Sequence, residues 1–172
     1  MARDDPWPTG PGEETRVAEI YVQPGESHLV RGRVILRTVL GSCVGVTFWH
    51  RTRQIAGLCH PMLPAPPREK QGKLSLEAAR RYVDFAIRDL ARQLDGLGVA
   101  RRETEVKLFG GADVLAASEG RGNRPTVGRQ NADKVLEELG YRVIAQRLGG
   151  RHGCHIDFHT GTGEVILRRL GE

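Results

Sequence analysis

The amino-acid sequence predicts a mixed α/β fold whose strands are largely antiparallel. Short β-branched and aromatic runs, separated by tight turns, recur along the chain. Only two segments have apolar residues at helical spacing. A chain of 172 residues fits one domain, to which we assign residues 16–172. Residues 1–15 mix proline, glycine and charge without an apolar period, so we expect a disordered tail there.

Each predicted element is bounded by residues that favour its ends. The expected strands are residues 16–22, 34–40, 44–49, 55–60, 105–109, 141–148, 155–159 and 164–170. The last two are joined by a Thr-Gly-Thr-Gly turn of hairpin type. The expected helices are residues 76–94, with Ser75 as N-cap and Gly96 or Gly98 as the stop, and residues 131–139, closed by Gly140.

Charge, hydropathy and cysteine content indicate which kinds of partner and which compartment the protein is suited to. The formal charge of +5 and the pI near 9.5 favour an acidic partner, but the arginines are dispersed and base-stacking motifs are absent, which argues against nucleic-acid binding. No apolar segment approaches the length of a membrane span or resembles a signal peptide, so we expect a cytoplasmic protein without membrane insertion. Its three cysteines, Cys43, Cys59 and Cys154, form no C-x-x-C pair and are expected to be thiols.

Cys43 and His60 form a candidate catalytic pair. If Arg51 and Thr52 are the turn between two strands, the antiparallel register places Cys43 opposite His60, with Cβ atoms roughly 4.5–5.5 Å apart. The neighbours expected on the same face are small and would leave room for a substrate: Gly45, Thr47 and Ala56. A register slip of one residue would separate the pair onto opposite faces.

The residues before Cys43 favour a nucleophile. Gly41 and Ser42 make a bend at which backbone N–H groups can point at one spot and stabilise an oxyanion. A nearby imidazole would lower the pKa of the thiol and act as a general base. The alternative is that Cys43 is a small buried apolar residue and His60 a hydrogen-bonded surface residue.

Several segments together resemble the chemoreceptor glutamine deamidase family, CheD. They are residues 38–46 (TVLGSCVGV), 57–64 (GLCHPMLP), 107–112 (KLFGGA), 127–131 (VGRQN), 148–153 (LGGRHG) and 160–165 (TGTGEV). The resemblance implies a three-layer α/β/β fold similar to the catalytic domain of cytotoxic necrotizing factor toxins. It also implies deamidation of receptor glutamines without a metal or other cofactor. Cys43 would be the nucleophile, His60 its base and Thr38 the residue that orients the imidazole.

Two further interpretations stay open. The partners implied by the resemblance are the cytoplasmic helices of chemoreceptors and the phosphatase CheC, so the chain could instead be a regulatory partner of CheC with little activity of its own. The segment from His152 to His159 contains imidazole, thiolate and carboxylate groups, which are zinc ligands. Its alternation fits a polar strand face over a core face better, which leaves a zinc-binding module as a minor alternative.

Overall fold

A computed structural model describes residues 17–114 and 125–171, which form two β-sheets and three α-helices. The strands are β1 (Ala18–Tyr21), β2 (Ser27–Arg31), β3 (Val34–Leu40), β4 (Val44–His50), β5 (Ile55–Cys59), β6 (Glu105–Gly110), β7 (Val143–Leu148), β8 (Cys154–His159) and β9 (Glu164–Arg169). The helices are α1 (Leu76–Ala79), α2 (Val83–Gly96) and α3 (Val127–Glu138). The mixed α/β prediction is confirmed; the tail predicted at 1–15 lies outside the described residues.

The two sheets have different strand orders. One contains β1-β3-β8-β9 and the other β2-β5-β4-β6-β7. All neighbouring strands are antiparallel except the β1–β3 and β6–β7 pairs, so the sheets are largely antiparallel as predicted. The chain passes from the first sheet to the second between β3 and β4, at Gly41–Cys43.

Two apolar clusters hold three layers together. Residues of β4, alternating along the strand, pack with α2 and α3 on one face of the five-stranded sheet, where Val46, Phe48 and Leu90 are fully buried. The other face of that sheet packs against the four-stranded sheet through residues such as Leu58, Leu36 and Ile156. A sheet buried on both faces explains why every residue of β4 is buried.

The helix predicted over 76–94 is interrupted in the structure. Ser75 caps α1 as predicted, since its Oγ accepts from the N–H of Ala78 at 3.2 Å. The chain then leaves the helical path because the carbonyl of Arg81 accepts from the N–H groups of Met62 and Leu63, at 2.8 and 3.0 Å. The apolar period continues across this break, so the sequence pattern does not reveal it.

Two other expectations need correction. Strand β2 follows the turn at Pro24-Gly25 and was not predicted; it is an edge strand whose residues are mostly half-buried, which weakens its apolar alternation. Helix α3 begins at Val127, four residues before the predicted start at 131, because the Oγ1 of Thr126 accepts from the N–H of Arg129 at 3.2 Å and caps it.

Candidate active site

Gly41–Cys43 form the corner at which the chain crosses between the sheets, and each of the three carbonyls accepts a hydrogen bond. Gly41 O accepts from the N–H of Ala112 at 2.9 Å, and Cys43 O accepts from the N–H of Gly111 at 2.8 Å. Ser42 O accepts from the side-chain amide of Asn131 at 2.9 Å. These bonds fix the peptide planes of the corner.

The N–H groups of Ser42 and Cys43 point in the direction opposite to the carbonyls of Gly41 and Ser42, which share their peptide planes. Each belongs to a peptide plane whose carbonyl is already held, so its direction is set. Within the described residues, neither N–H donates a hydrogen bond to another residue. The corner is half-buried, and two such N–H groups in a bend form an arrangement that can bind an oxyanion; this role of the corner at Gly41 and Ser42 stays a prediction.

Asn131 is a site residue that the sequence reasoning missed. Its side chain is fully buried, and its Nδ2 donates both to Ser42 O and, at 2.8 Å, to Met62 O. It therefore ties the corner before Cys43 to the segment after His60. The available signal was its place at the end of the motif VGRQN; the helix predicted to start at residue 131 gave it only an ordinary N-terminal position.

Two glycines let the surrounding backbone approach the corner. Gly110 has a φ of +91°, and a Cβ there would lie 2.3 Å from Cys43 O. Gly128, in the first turn of α3, would place a Cβ 2.3 Å from Ala112 O. Any larger residue at either position would push the supporting strand end or helix away from Cys43.

His60 is held by its backbone and by one side-chain contact. Its N–H donates to Glu26 O at 2.9 Å, and its carbonyl accepts from the N–H of Gly25 at 2.7 Å. Its ring is buried, with 1% of the residue exposed. The Oγ1 of Thr38 lies 2.8 Å from Nδ1 of this ring. The structure therefore brings together two of the three residues predicted for catalysis.

The hydrogen bonds of Thr38 assign the histidine tautomer. The hydroxyl has one proton, and Val22 O, at 2.8 Å, can only accept it. The arrangement that satisfies both neighbours is therefore a hydroxyl that donates to Val22 O and accepts from Nδ1–H of His60. Nε2 then carries a free lone pair, and it has no hydrogen-bond partner among the described residues.

Burial keeps His60 neutral. It lowers the pKa of the imidazole from 6.5 to about 4, while the carbonyl of Val22 and the charge of Glu26 act in the opposite direction. A neutral imidazole with a free Nε2 is competent to accept a proton at neutral pH.

The register between β4 and β5 differs from the prediction by two residues. Val46 pairs with Cys59 and His50 with Ile55, because the connecting turn contains four residues, 51–54, instead of two. Continued in the same register, His60 lies opposite Gly45, and Cys43 is its diagonal neighbour. A shift of two residues preserves the face of each side chain, so Cys43 and His60 remain on the same side of the strands.

The expected space beside the pair is filled. Gly45, Thr47 and Ala56 are buried between the two sheets, and a Cβ on Gly45 would lie 2.8 Å from the Leu40 side chain. The small residues therefore allow the sheets to pack and do not form a substrate pocket. Access to Cys43 is through the half-buried corner itself.

The thiol of Cys43 differs from its predicted state. Burial raises its pKa above the ordinary 9.0, and only its own backbone N–H acts in the lowering direction. His60 does not lower it, contrary to the sequence-based expectation. Both members of the pair are therefore neutral at pH 7, which differs from a preformed thiolate–imidazolium pair.

The segment proposed as a zinc site is part of an ion-pair network. Asp157 accepts from Arg37 Nε at 2.6 Å and also pairs with Arg168. Its neighbours Ile156 and Phe158 face the core, as the alternation predicted. Across residues 17–114 and 125–171, no three histidine, cysteine or acidic side chains are grouped so as to hold a metal ion.

Comparison with known proteins decides the family. The family model described as "CheD chemotactic sensory transduction" matches residues 62–169. A relative from Geobacter sulfurreducens, named "Probable chemoreceptor glutamine deamidase CheD 2", is 38% identical over 158 residues, covering 90% of this chain and 92% of the relative. The chain belongs to the CheD family.

Other CheD relatives also match this chain over most of their length. One from Pseudomonas savastanoi pv. phaseolicola is 37% identical over 155 residues, covering 88% of this chain and 85% of its own. One from Pyrococcus horikoshii is 34% identical over 158 residues, covering 90% and 94% respectively. Both are named "Probable chemoreceptor glutamine deamidase CheD". The resemblance found in the sequence motifs is thus confirmed.

In this CheD chain the helices are short and amphipathic. No helix among the described residues has the length and apolar character needed to cross a membrane.

Proposed function

We propose that this chain is a protein-glutamine deamidase that converts glutamines on the cytoplasmic helices of chemoreceptors to glutamate. The observation that supports it most directly is the neutral His60, with Thr38 at Nδ1 and a free lone pair at Nε2, on the same face as Cys43. The names of the CheD relatives support the substrate and the reaction. The proposed site of action is the cytoplasm.

In the first half-reaction, Sγ of Cys43 attacks Cδ of the glutamine side chain while Nε2 of His60 accepts the thiol proton. The carbonyl oxygen becomes an oxyanion, which the N–H groups of Ser42 and Cys43 stabilise. The C–N bond then breaks, and His60 returns the proton to the leaving nitrogen. Ammonia departs and a thioester remains. The hydrogen bond between Cys43 and His60 forms when substrate closes the site, as is common for pairs that are apart in a free enzyme.

The second half-reaction uses the same groups. His60 takes a proton from water, the resulting hydroxide attacks the thioester carbon, and the corner N–H groups again hold the oxyanion. The C–S bond breaks and the sulfur regains its proton from the imidazolium. The net change is one water consumed, one ammonia released and glutamine converted to glutamate, with no cofactor required.

The test is incubation with a chemoreceptor cytoplasmic fragment, with glutamine-to-glutamate conversion followed by peptide mass spectrometry and ammonia release by a coupled assay. The wild type converts specific glutamines; Cys43→Ala and His60→Ala convert none. Cys59→Ala is the matched control, because Cys59 is fully buried and its pKa is raised to about 12. Conversion by Cys43→Ala at the wild-type rate would disprove the mechanism.

Two further proposals rest on the family resemblance. The chain binds the phosphatase CheC, and Cys43→Ala separates this role from catalysis if binding persists when ammonia release stops. Residues 16–172 constitute one catalytic domain, related in fold to the catalytic domain of cytotoxic necrotizing factor toxins. Limited proteolysis that yields one resistant core beginning near residue 16 would support the domain assignment.

A further inference from the structure

A cavity of about 320 Å³ opens beside the corner that carries Cys43. Its size is at the lower end of the range of roughly 300–1,000 Å³ for ligand pockets. The segment 148–153, which the proposed reaction does not use, forms much of its wall. The polar groups around it are contributed mainly by four basic side chains: Arg147, Arg151, His152 and Arg169.

The charge that the cavity's lining carries is positive, because arginine side chains dominate it. Among the described residues, no aspartate or glutamate lines it. Arg147 and Arg151 make no ion pair or hydrogen bond with another side chain of the described residues. Arginines elsewhere do have such partners, as Arg80 does with Asp89 at 2.9 Å. Arginine is suited to a carboxylate because its guanidinium presents a planar fork of donors.

The cavity and the Cys43 corner share one backbone framework. Gly110 lines the cavity and accepts from the N–H of Gly149 at 2.8 Å. The next residue, Gly111, donates to Cys43 O. On the other side, a Cβ on Gly153 would lie 3.6 Å from the Cα of Gly41. The cavity therefore adjoins the corner that carries Cys43.

We propose that this cavity binds the carboxylate of an acidic side chain that neighbours the target glutamine on the same substrate segment. The inference rests on the proposed deamidase function and adds a specificity determinant to it. Arg147 and Arg151 form the charge-assisted contacts, so substrates with an acidic neighbour are selected over neutral ones. A free anion such as phosphate can bind the same arginines, but its effect on the reaction would not depend on the sequence of the substrate.

The experiment is a two-by-two comparison of kcat/KM. The enzyme is the wild type or the double variant Arg147→Gln/Arg151→Gln. The substrate is a receptor cytoplasmic fragment or the same fragment with the aspartates and glutamates within about seven residues, two helical turns, of the target glutamine changed to alanine. The control enzyme is Arg92→Gln/Arg142→Gln, which removes the same charge from exposed arginines away from the cavity.

We expect the cavity variant to lower kcat/KM on the acidic fragment about tenfold, mainly through KM, as for loss of one charge-assisted contact. It should match the wild type on the depleted fragment, and the control should match the wild type on both.

Equal losses on the two fragments, or no difference between the two double variants, would overturn the proposal while leaving the deamidase function intact. Inhibition of the wild type by inorganic phosphate on the depleted fragment, absent in the cavity variant, would identify a free-anion site and also overturn it. A wild type that converts neither fragment would refute the proposed function itself.

Discussion

The hydroxyl of Thr38 joins the two sheets at the candidate active site, 2.8 Å from Nδ1 of His60. Thr38 is on β3 of the four-stranded sheet, whereas His60 follows β5 of the five-stranded sheet. The orientation of the proposed base therefore depends on how the two sheets pack against each other.

Replacing Thr38 by valine should reduce kcat strongly. The substitution keeps the shape but removes the acceptor of Nδ1–H and the donor to Val22 O, so the imidazole loses its fixed tautomer. We expect a decrease on the order of 100-fold, the scale of positioned acid–base catalysis. Unfolding should become easier by about 1–3 kcal/mol because two buried polar groups lose a partner. Deamidation kinetics and urea unfolding measure the two effects.

The matched control for this change is Thr38→Ser, which retains the hydroxyl and should recover most of kcat. If serine and valine reduce kcat equally, Thr38 acts through packing and the tautomer assignment is wrong.

His60 should make the protein less stable as the pH falls. An unfolded histidine takes up a proton below pH 6.5, while folded His60 stays neutral to about pH 4 because burial lowers its pKa. The stabilisation is fully present above pH 6.5 and is lost across this window, at roughly 1.4 kcal/mol per pH unit and about 3 kcal/mol in all. Urea unfolding of wild type and His60→Gln from pH 7 to 4 tests this. The curves should converge toward low pH; parallel curves would contradict it.

Cys43 should be protonated in the free enzyme at neutral pH. Burial raises the pKa of its thiol above 9.0, so alkylation by iodoacetamide should be slow at pH 7 and accelerate above pH 9. His60→Ala should have the same labelling profile, because His60 does not lower the pKa of the thiol. Cys43→Ser provides the background from the other two cysteines. A fast plateau near neutrality that disappears in His60→Ala would reveal a preformed ion pair.

Much of the fold and the candidate pair followed from local sequence patterns. The β-branched runs located β3, β4 and β5. The alternation along β4 placed Gly45 and Thr47 on one face, and in the structure Val46 and Phe48 lie on the other, toward the helices. Those features depend on residues close in sequence, where side-chain periodicity is informative. The motifs then related Thr38 to the same site, although the β4–β5 hairpin alone gives no reason to include it.

The features that could not be predicted depend on distant contacts. The hairpin register was wrong by two residues because the turn has no Asn-Gly or Asp-Gly pair to fix its length. The role of Asn131 requires knowing that the N-terminal half of α3 lies against the corner, 89 residues earlier in the chain. The raised pKa of Cys43 is a consequence of burial, which the sequence around a half-exposed corner does not specify.

Asn131→Ala should lower kcat, whereas a packing substitution on the same helix that costs similar stability should not. It leaves Ser42 O and Met62 O without their donor, and the peptide plane that presents the N–H of Cys43 is no longer held. We expect a fall in kcat of at least about tenfold, and a stability loss of about 1–3 kcal/mol. Val135→Ala, a fully buried position on the same helix, controls for packing and should lose stability while retaining kcat. Equal retention of kcat in both variants would remove Asn131 from the site.

Gly110→Ala should displace Cys43, and Gly32→Ala separates this effect from backbone strain. The two glycines have nearly the same φ, +91° and +90°, so alanine costs each a similar left-handed strain of about 1–2 kcal/mol. A Cβ at Gly32 meets nothing within 4 Å, whereas one at Gly110 would lie 2.3 Å from Cys43 O. The backbone at Gly110 must therefore move, and the bond from Gly111 to Cys43 O must break or lengthen. We expect Gly32→Ala to retain kcat with a lowered Tm, and Gly110→Ala to lose both. If kcat in Gly110→Ala stays at the Gly32→Ala level, the corner tolerates the shift and its fixed geometry is not needed for the reaction.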